Sequence, residues 1–205
     1  MIMKWLLCII LAVSDLTTSA DALSAFVSRL ASGCVSFGYS FVMEASSASS
    51  GKMLGEGTLV FQGGAYRLQG NGLEVWCDGT SVWTSDSSAK EVVIEAVSED
   101  VLVNPALILA DISRHFSWDP TPLAGTFSSR PCRRFLLSPR SKSDVRSLEL
   151  FFDTAEVQLL GGRMSLKDNV SATFFISGLT VSECKDAFFF TPPAFPSDWI
   201  VTDLR

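Results

Sequence analysis

The chain has 205 residues, 47% of them apolar and 19% charged, with a formal net charge of −6. That is enough apolar material for one sizeable core, length favours one domain over two, and the same numbers exclude intrinsic disorder. With a sequence pI near 4.8, the chain lacks the positive field that would hold a phosphate backbone, so nucleic acid is not an expected partner.

Met1 to Lys4 make a short basic start, Trp5 to Val13 are consecutively apolar, and Ala20-Asp21-Ala22 places small side chains where a signal peptidase cuts. This predicts a secretory signal over residues 1–22, cleaved near Ala22, and an exported domain over 23–205. The apolar run is too short to cross hydrocarbon, which takes about 20 helical residues. Leu7 precedes Cys8, where a lipid-attachment signal needs Gly, Ala or Ser, so no lipid anchor is expected.

Leu23, Phe26, Val27, Leu30 and Ala31 recur at helical spacing and stop at Gly33, predicting an amphipathic helix over 23–32. From Val35 to Met43 apolar and small polar residues alternate, the period of a strand with one wet face. Short strands are predicted over 58–62, 65–69, 73–78, 81–85 and 91–97, separated by Gly63-Gly64, Gly70-Asn71-Gly72 and Asp78-Gly79 turns. Consecutive antiparallel pairing follows. Asn104-Pro105 then reads as a helix cap followed by proline at the first helical position, opening an unusually apolar helix that ends at His115. Further strands are predicted over 133–138, 147–153, 156–160, 163–167, 172–177 and 187–190, with Gly161-Gly162 as a turn. About eleven strands without long crossover helices imply an antiparallel sheet that curls or partly closes.

Cys34, Cys77, Cys132 and Cys184 follow the signal segment, an even count that permits zero, one or two disulfides in an oxidising compartment. No Cys-x-x-Cys occurs and His115 is the single histidine, so neither a metal site nor a cofactor is expected. His115 fits a helix C-terminus better than catalysis, and no Gly-x-Ser-x-Gly nucleophile elbow is present. Glu95 and Glu99 read as exposed edge carboxylates, and Arg130, Arg133, Arg134, Arg140, Lys142 and Arg146 as a solvated basic neighbourhood able to dock an acidic partner.

What the pattern does supply is apolar faces. The alternation puts Val35, Phe37, Tyr39, Phe41, Leu59, Phe61, Tyr66, Leu68, Leu148, Leu150, Phe152, Phe174 and Ile176 on one inner wall. Phe26 and Leu30 of the first helix, with Leu107, Ile108 and Ile112 of the second, are available to cover it. Such a wall is either a filled core or the lining of a hollow for a hydrophobic ligand, and periodicity is compatible with both.

Gly57-Thr58-Leu59-Val60-Phe61, Ala65-Tyr66-Arg67-Leu68 and residues 73–83 resemble the early strands of the LolA family of periplasmic outer-membrane lipoprotein carriers. Asn104-Pro105-Ala106-Leu107-Ile108-Leu109 resembles that family's internal lid helix, and Phe188-Phe189-Phe190-Thr191-Pro192-Pro193 with Val201-Thr202-Asp203-Leu204-Arg205 its C-terminal end. The resemblance implies a mainly β, half-open antiparallel β-barrel enclosing an apolar cavity under lid helices. It implies a non-catalytic, monomeric carrier of lipoprotein acyl chains, loaded by an inner-membrane ABC-type lipoprotein release complex and unloaded at an outer-membrane acceptor. One departure stands out: the family's lid-latching arginine falls near the end of the second strand, where this chain has Gln62, and Arg67 lies in the next strand. The alternatives are a carrier of another amphiphile such as a glycolipid, a filled-core envelope interaction module and, third, an enzyme.

Overall fold

A computed structural model of the protein describes residues 22–45, 51–97, 105–154 and 158–205, with the side chains of 105–107 and 168 left aside. The expected secretory segment through residue 21, Asn104 at the expected helix cap and Glu99 lie outside the described residues.

The first helix, α1 (Ala22–Ala31), turns Leu23, Phe26 and Leu30 into the core and carries Arg29 in its last turn, where a cation suits the helix dipole. It ends where the Ser32 amide donates to the Arg29 carbonyl at 3.2 Å. A Cβ on the following Gly33 would run into the Ser182 carbonyl, so glycine lets the chain enter the sheet close to its neighbour.

Six strands follow as an antiparallel meander: β1 (Cys34–Ala45), β2 (Met53–Gln62), β3 (Ala65–Gly70), β4 (Leu73–Cys77), β5 (Ser81–Asp86) and β6 (Glu91–Ala96). The β3–β4 turn holds Asn71 and Gly72 at φ of 54° and 80°, the left-handed pair that a tight hairpin needs. After a 3₁₀ segment, Pro105–Asp111, and one α-helical turn, α2 (Ile112–His115), come β7 (Phe116–Trp118), β8 (Leu123–Phe127), β9 (Arg130–Pro139), β10 (Val145–Asp153), β11 (Leu159–Leu166), β12 (Val170–Ser182) and β13 (Ile200–Asp203). All join one sheet in the order β13-β6-β5-β4-β3-β2-β1-β12-β11-β10-β9-β7, with β8 also on β9. The long central strands β1 and β12 pair antiparallel and join the two halves. The sheet curves round its core, and because β7 and β13 end the path unpaired with each other, the barrel stays half-open.

Several expectations need correction. Gly161-Gly162 is not a turn but lies inside β11, opposite Phe151 and Leu150 of β10; glycines are needed there because side chains would strike β12 at Phe174. Residues 187–190 form a 3₁₀ turn capped by the Asp186 carboxylate, which accepts from the Phe188 amide, rather than a strand. The middle helix winds mostly as 3₁₀, held by burial of Ile108, Leu109 and Ile112 rather than by helical propagation. Strands β7 and β8 were not signalled, since the β8–β9 turn is built on Ser128 and Ser129 at φ of 48° and 64°, residues that do not announce a left-handed turn. Finally, β13 runs parallel to β6, reached by an irregular crossover from the end of β12, so the pairing is not wholly antiparallel and Glu95 is not on an edge strand.

Candidate functional site

Register fixes which side chains share the concave face. Phe41 on β1 lies opposite Gly55 of β2 and Phe174 of β12, Tyr39 opposite Gly57 and Ile176, and Leu148 opposite Leu137 and Met164. Val35, Phe37, Tyr39, Phe41, Leu59, Phe61, Leu68, Leu148, Leu150, Phe152 and Phe174 are all buried in one apolar cluster, with Tyr66 and Ile176 half-buried against it. Phe26, Leu30, Ile108 and Ile112 enter the same cluster from the lid elements, Phe26 meeting Phe152 edge-on at 5.1 Å; the side chain of Leu107 lies outside the described residues. The expected wall and lid are thus brought together.

Sequence reasoning missed part of this wall. Phe135 and Leu137 of β9, Met164 of β11 and Leu109 and Phe116 beside the lid belong to it too; the alternation of β9 could have shown the first two. It also missed how the aromatic rings lie. A side chain at Gly55 would land on the Phe41 ring, one at Gly162 on the Phe174 ring, and one at Gly57 would come within 2.9 Å of the Tyr39 hydroxyl. The Phe41 and Phe174 rings each lie over a glycine of the neighbouring strand and the Tyr39 hydroxyl reaches a third, an arrangement that shields a bare backbone.

Val35, Leu59, Leu148, Leu150 and Phe174 have 0% exposure, so packed contacts cover this stretch of the wall, while Tyr39 and Ile176 also line a cleft of about 260 Å³. Burial, together with Cys77 alongside, pushes the Tyr66 hydroxyl pKa up to about 12, so this wall carries no ionised oxygen there at neutral pH.

The convex face is also partly apolar, but differently built. Arg67 lies 5.6 Å over both the Trp76 and Phe189 rings while its Nε donates to Glu74 at 3.0 Å. Phe195 packs edge-on to Trp76 at 6.1 Å, and a groove of about 790 Å³ runs between these strands and the segment containing Phe188, Pro192 and Trp199. Arg67 thus points away from the lid. Gln62, at the place of the family's latch, accepts from the Lys185 amide at 2.7 Å and donates to its carbonyl at 3.3 Å; it fastens the chain beyond β12.

The basic neighbourhood is dispersed into local contacts: Arg134 pairs with Glu149 at 2.9 Å, and Arg140 donates to the carbonyls of Ser113 and Phe116 at 3.1 and 2.7 Å. His115 sits 3.8 Å from the Asp111 carboxylate one helical turn back. Among the described residues there is no group of three or more potential metal ligands, and no helix is long and apolar enough to cross a membrane.

A half-open, curved β-sheet wrapped round an apolar interior, with helical elements seated in its mouth, defines a class of lidded sheet proteins. The chain is 30% identical over 131 residues to an outer-membrane lipoprotein carrier protein of Alcanivorax borkumensis, a match spanning 57% of this chain and 56% of that relative; the chain therefore matches little more than half of the carrier's length. Its fold is that of an uncharacterized conserved protein from Thermus thermophilus, with a TM-score of 0.53 at 11% identity over 90% of this chain and 99% of the other. A LolA superfamily protein from Nitrosomonas europaea superposes with a TM-score of 0.46 at 9% identity, over 82% of this chain and 97% of that one. No family model matches the chain. The chain is LolA-like.

Proposed function

We propose that this protein is a non-catalytic periplasmic carrier that takes lipoprotein acyl chains between the concave wall and the lid and moves them from the inner to the outer membrane. The observation that carries the reading is the shared apolar cluster: the sheet wall and two separate covering elements, α1 and the 105–115 segment, contribute buried apolar side chains to it. Such a contact opens without breaking a buried ion pair, and an acyl chain replaces the contacts it displaces. About 0.8 kcal/mol per buried methylene makes three chains of roughly 15 methylenes worth, as an upper bound, on the order of 35 kcal/mol. A carrier must shield most of that in transit. On this reading, loading lifts the lid off the wall. The partners of this reading are an ABC-type release complex and an outer-membrane acceptor, and the net negative charge limits lingering on anionic lipid.

The decisive experiment is release of a triacylated lipoprotein from inner-membrane vesicles into a soluble complex with this protein. Release of lipoprotein but not of glycolipid supports the reading; failure to release lipoprotein, or to bind any fluorescent acyl probe, overturns it. The second reading, a filled envelope interaction module, is favoured by the solvent-free packing of Leu59, Leu148 and Phe174. It forecasts no acyl-probe binding.

A further inference from the structure

The strand order decides which cysteines beyond the expected signal segment can meet. Bridged cysteines need Cα atoms within about 7 Å, while neighbouring strands are about 4.8 Å apart. Cys77 on β4 is three strands from Cys34 on β1, and Cys132 on β9 is four strands from it in the other direction. The faces differ as well. Cys77 shares the concave side with Tyr66, its register partner, whereas Cys132 packs among Phe127 and Phe151 in a separate cluster on the convex side. Neither can reach Cys34 or the other.

Cys34 and Cys184 are placed differently. Cys34 lies directly opposite Ser182, the last residue of β12, and the Ser182 hydroxyl donates to the Cys34 carbonyl at 3.4 Å. On the other flank of β1 the next register place belongs to Gln62, because Val35 pairs with Phe61. Gln62 holds both backbone groups of Lys185. The chain leaving β12 must therefore cross β1 over Cys34 within three residues, and Cys184 is in that crossing. Cys34 is buried beneath it while Cys184 is exposed. The Cys184 thiol and Lys185 both act on Cys34, the first raising its pKa and the second lowering it, on top of the larger effect of burial, which raises it.

We propose that Cys34 and Cys184 form a disulfide that staples the C-terminal segment to the base of α1. Exposed Cys184 reacts first, as thiolate, with a disulfide oxidant and forms a mixed disulfide. Cys34 then loses its proton and attacks the Cys184 sulfur, expelling the oxidant's second thiol. One S–S bond is made in the protein and one broken in the oxidant, which carries away two electrons and two protons as two thiols. The bond joins the hinge of the first lid element to the segment that crosses the convex face and ends in β13. It leaves the concave wall untouched. Its formation in the cell rests on the exported location proposed above, but its chemistry does not, so the two fail separately.

The test incubates the folded full chain with oxidised glutathione and maps its peptides without reduction. The expected product is one peptide containing Cys34 joined to one containing Cys184, with Cys77 and Cys132 still alkylated as thiols. Oxidation should raise the melting temperature by roughly 5–15 °C, because the bond closes a loop of about 150 residues. Cys184→Ser should abolish that rise and Cys132→Ser should keep it. A stable glutathione adduct on Cys184 without the cross-link, or a cross-link to Cys77 or Cys132, overturns the proposal.

Discussion

Both faces of this sheet carry aromatic rings and use them in opposite ways. On the concave face the Phe41 and Phe174 rings lie over Gly55 and Gly162, and Tyr39 stacks with Phe41 at 6.4 Å. On the convex face the rings are partnered by charge: Arg67 is held between Trp76 and Phe189, and Arg163 lies 5.7 Å over Phe151 while also reaching Glu149 at 3.5 Å. The difference teaches that apolarity does not by itself mark a binding wall. On the carrier reading proposed above, a face that parts from its cover to take up a lipid does so without breaking a buried ion pair, whereas a face that holds one segment in place can use charge.

The comparison breaks most sharply at neighbouring positions on β9 and β10. Leu150 is fully buried on the concave side, so Leu150→Ala is expected to cost about 2–5 kcal/mol in urea unfolding, and Leu150→Glu, an unpaired buried charge, to prevent stable folding. Leu136, half exposed on the convex side, should tolerate Ser within about 0.5 kcal/mol. Equal losses at both sites would mean that the faces are not distinct. Gly162→Val sharpens the contrast, because it drives the Phe174 ring off the sheet toward the lid. Overpacking should cost about 1–3 kcal/mol, and acyl-probe uptake should fall further than stability alone explains. Gly51→Val, with open space around it, is the control and should change neither. Unaltered uptake by folded Gly162→Val would remove the Phe174 ring from the binding reading.

Much of the concave face was legible because strand alternation is a two-residue period that survives without knowledge of partners. Val35 to Phe41 and Leu148 to Phe152 read correctly on that ground alone. What stayed hidden depends on neighbours distant in sequence. Gly161-Gly162 looks like a turn until Phe174, on the next strand, is known to lie over it. The Ser128-Ser129 turn carries no glycine to announce it, and the parallel placement of β13 is set by where the crossover lands. Trp76 belongs to an apolar strand, and which face it serves depends on the C-terminal segment that brings Phe195 against it. The latch position was legible as a departure, Gln62 in place of arginine, while its actual partner, the Lys185 backbone, could not be inferred from spacing.

Titration offers a third way to test the concave environment. Tyr66, with its pKa pushed up to about 12 chiefly by burial, stays protonated in the folded chain after it has ionised in the unfolded one. The unfolded state then binds fewer protons, so stability is full below about pH 10 and falls as pH rises from about 10 to 12, by at most roughly 3 kcal/mol from this group and less where solvent screens it. Urea midpoints measured across that window should drop in the natural protein and drop less in Tyr66→Phe. Parallel slopes for both proteins would place the hydroxyl in water.

The smallest effect tests whether the faces are coupled. Arg67 is a convex-side clamp, with its guanidinium against two rings and its Nε on Glu74, so Arg67→Ala should cost about 1 kcal/mol. Arg67→Lys should recover little of it, because an ammonium keeps the charge but loses the planar stack and the fork. Tryptophan emission should shift to the red in both variants as the segment carrying Phe189, Phe195 and Trp199 loosens over Trp76. Acyl-probe affinity should stay within twofold, since the side chain is separated from the wall by the sheet itself. If Arg67→Ala instead raises probe uptake severalfold, the arginine restrains lid opening from the far side of the sheet. The convex clamp would then be the working counterpart of the latch that Gln62 does not supply.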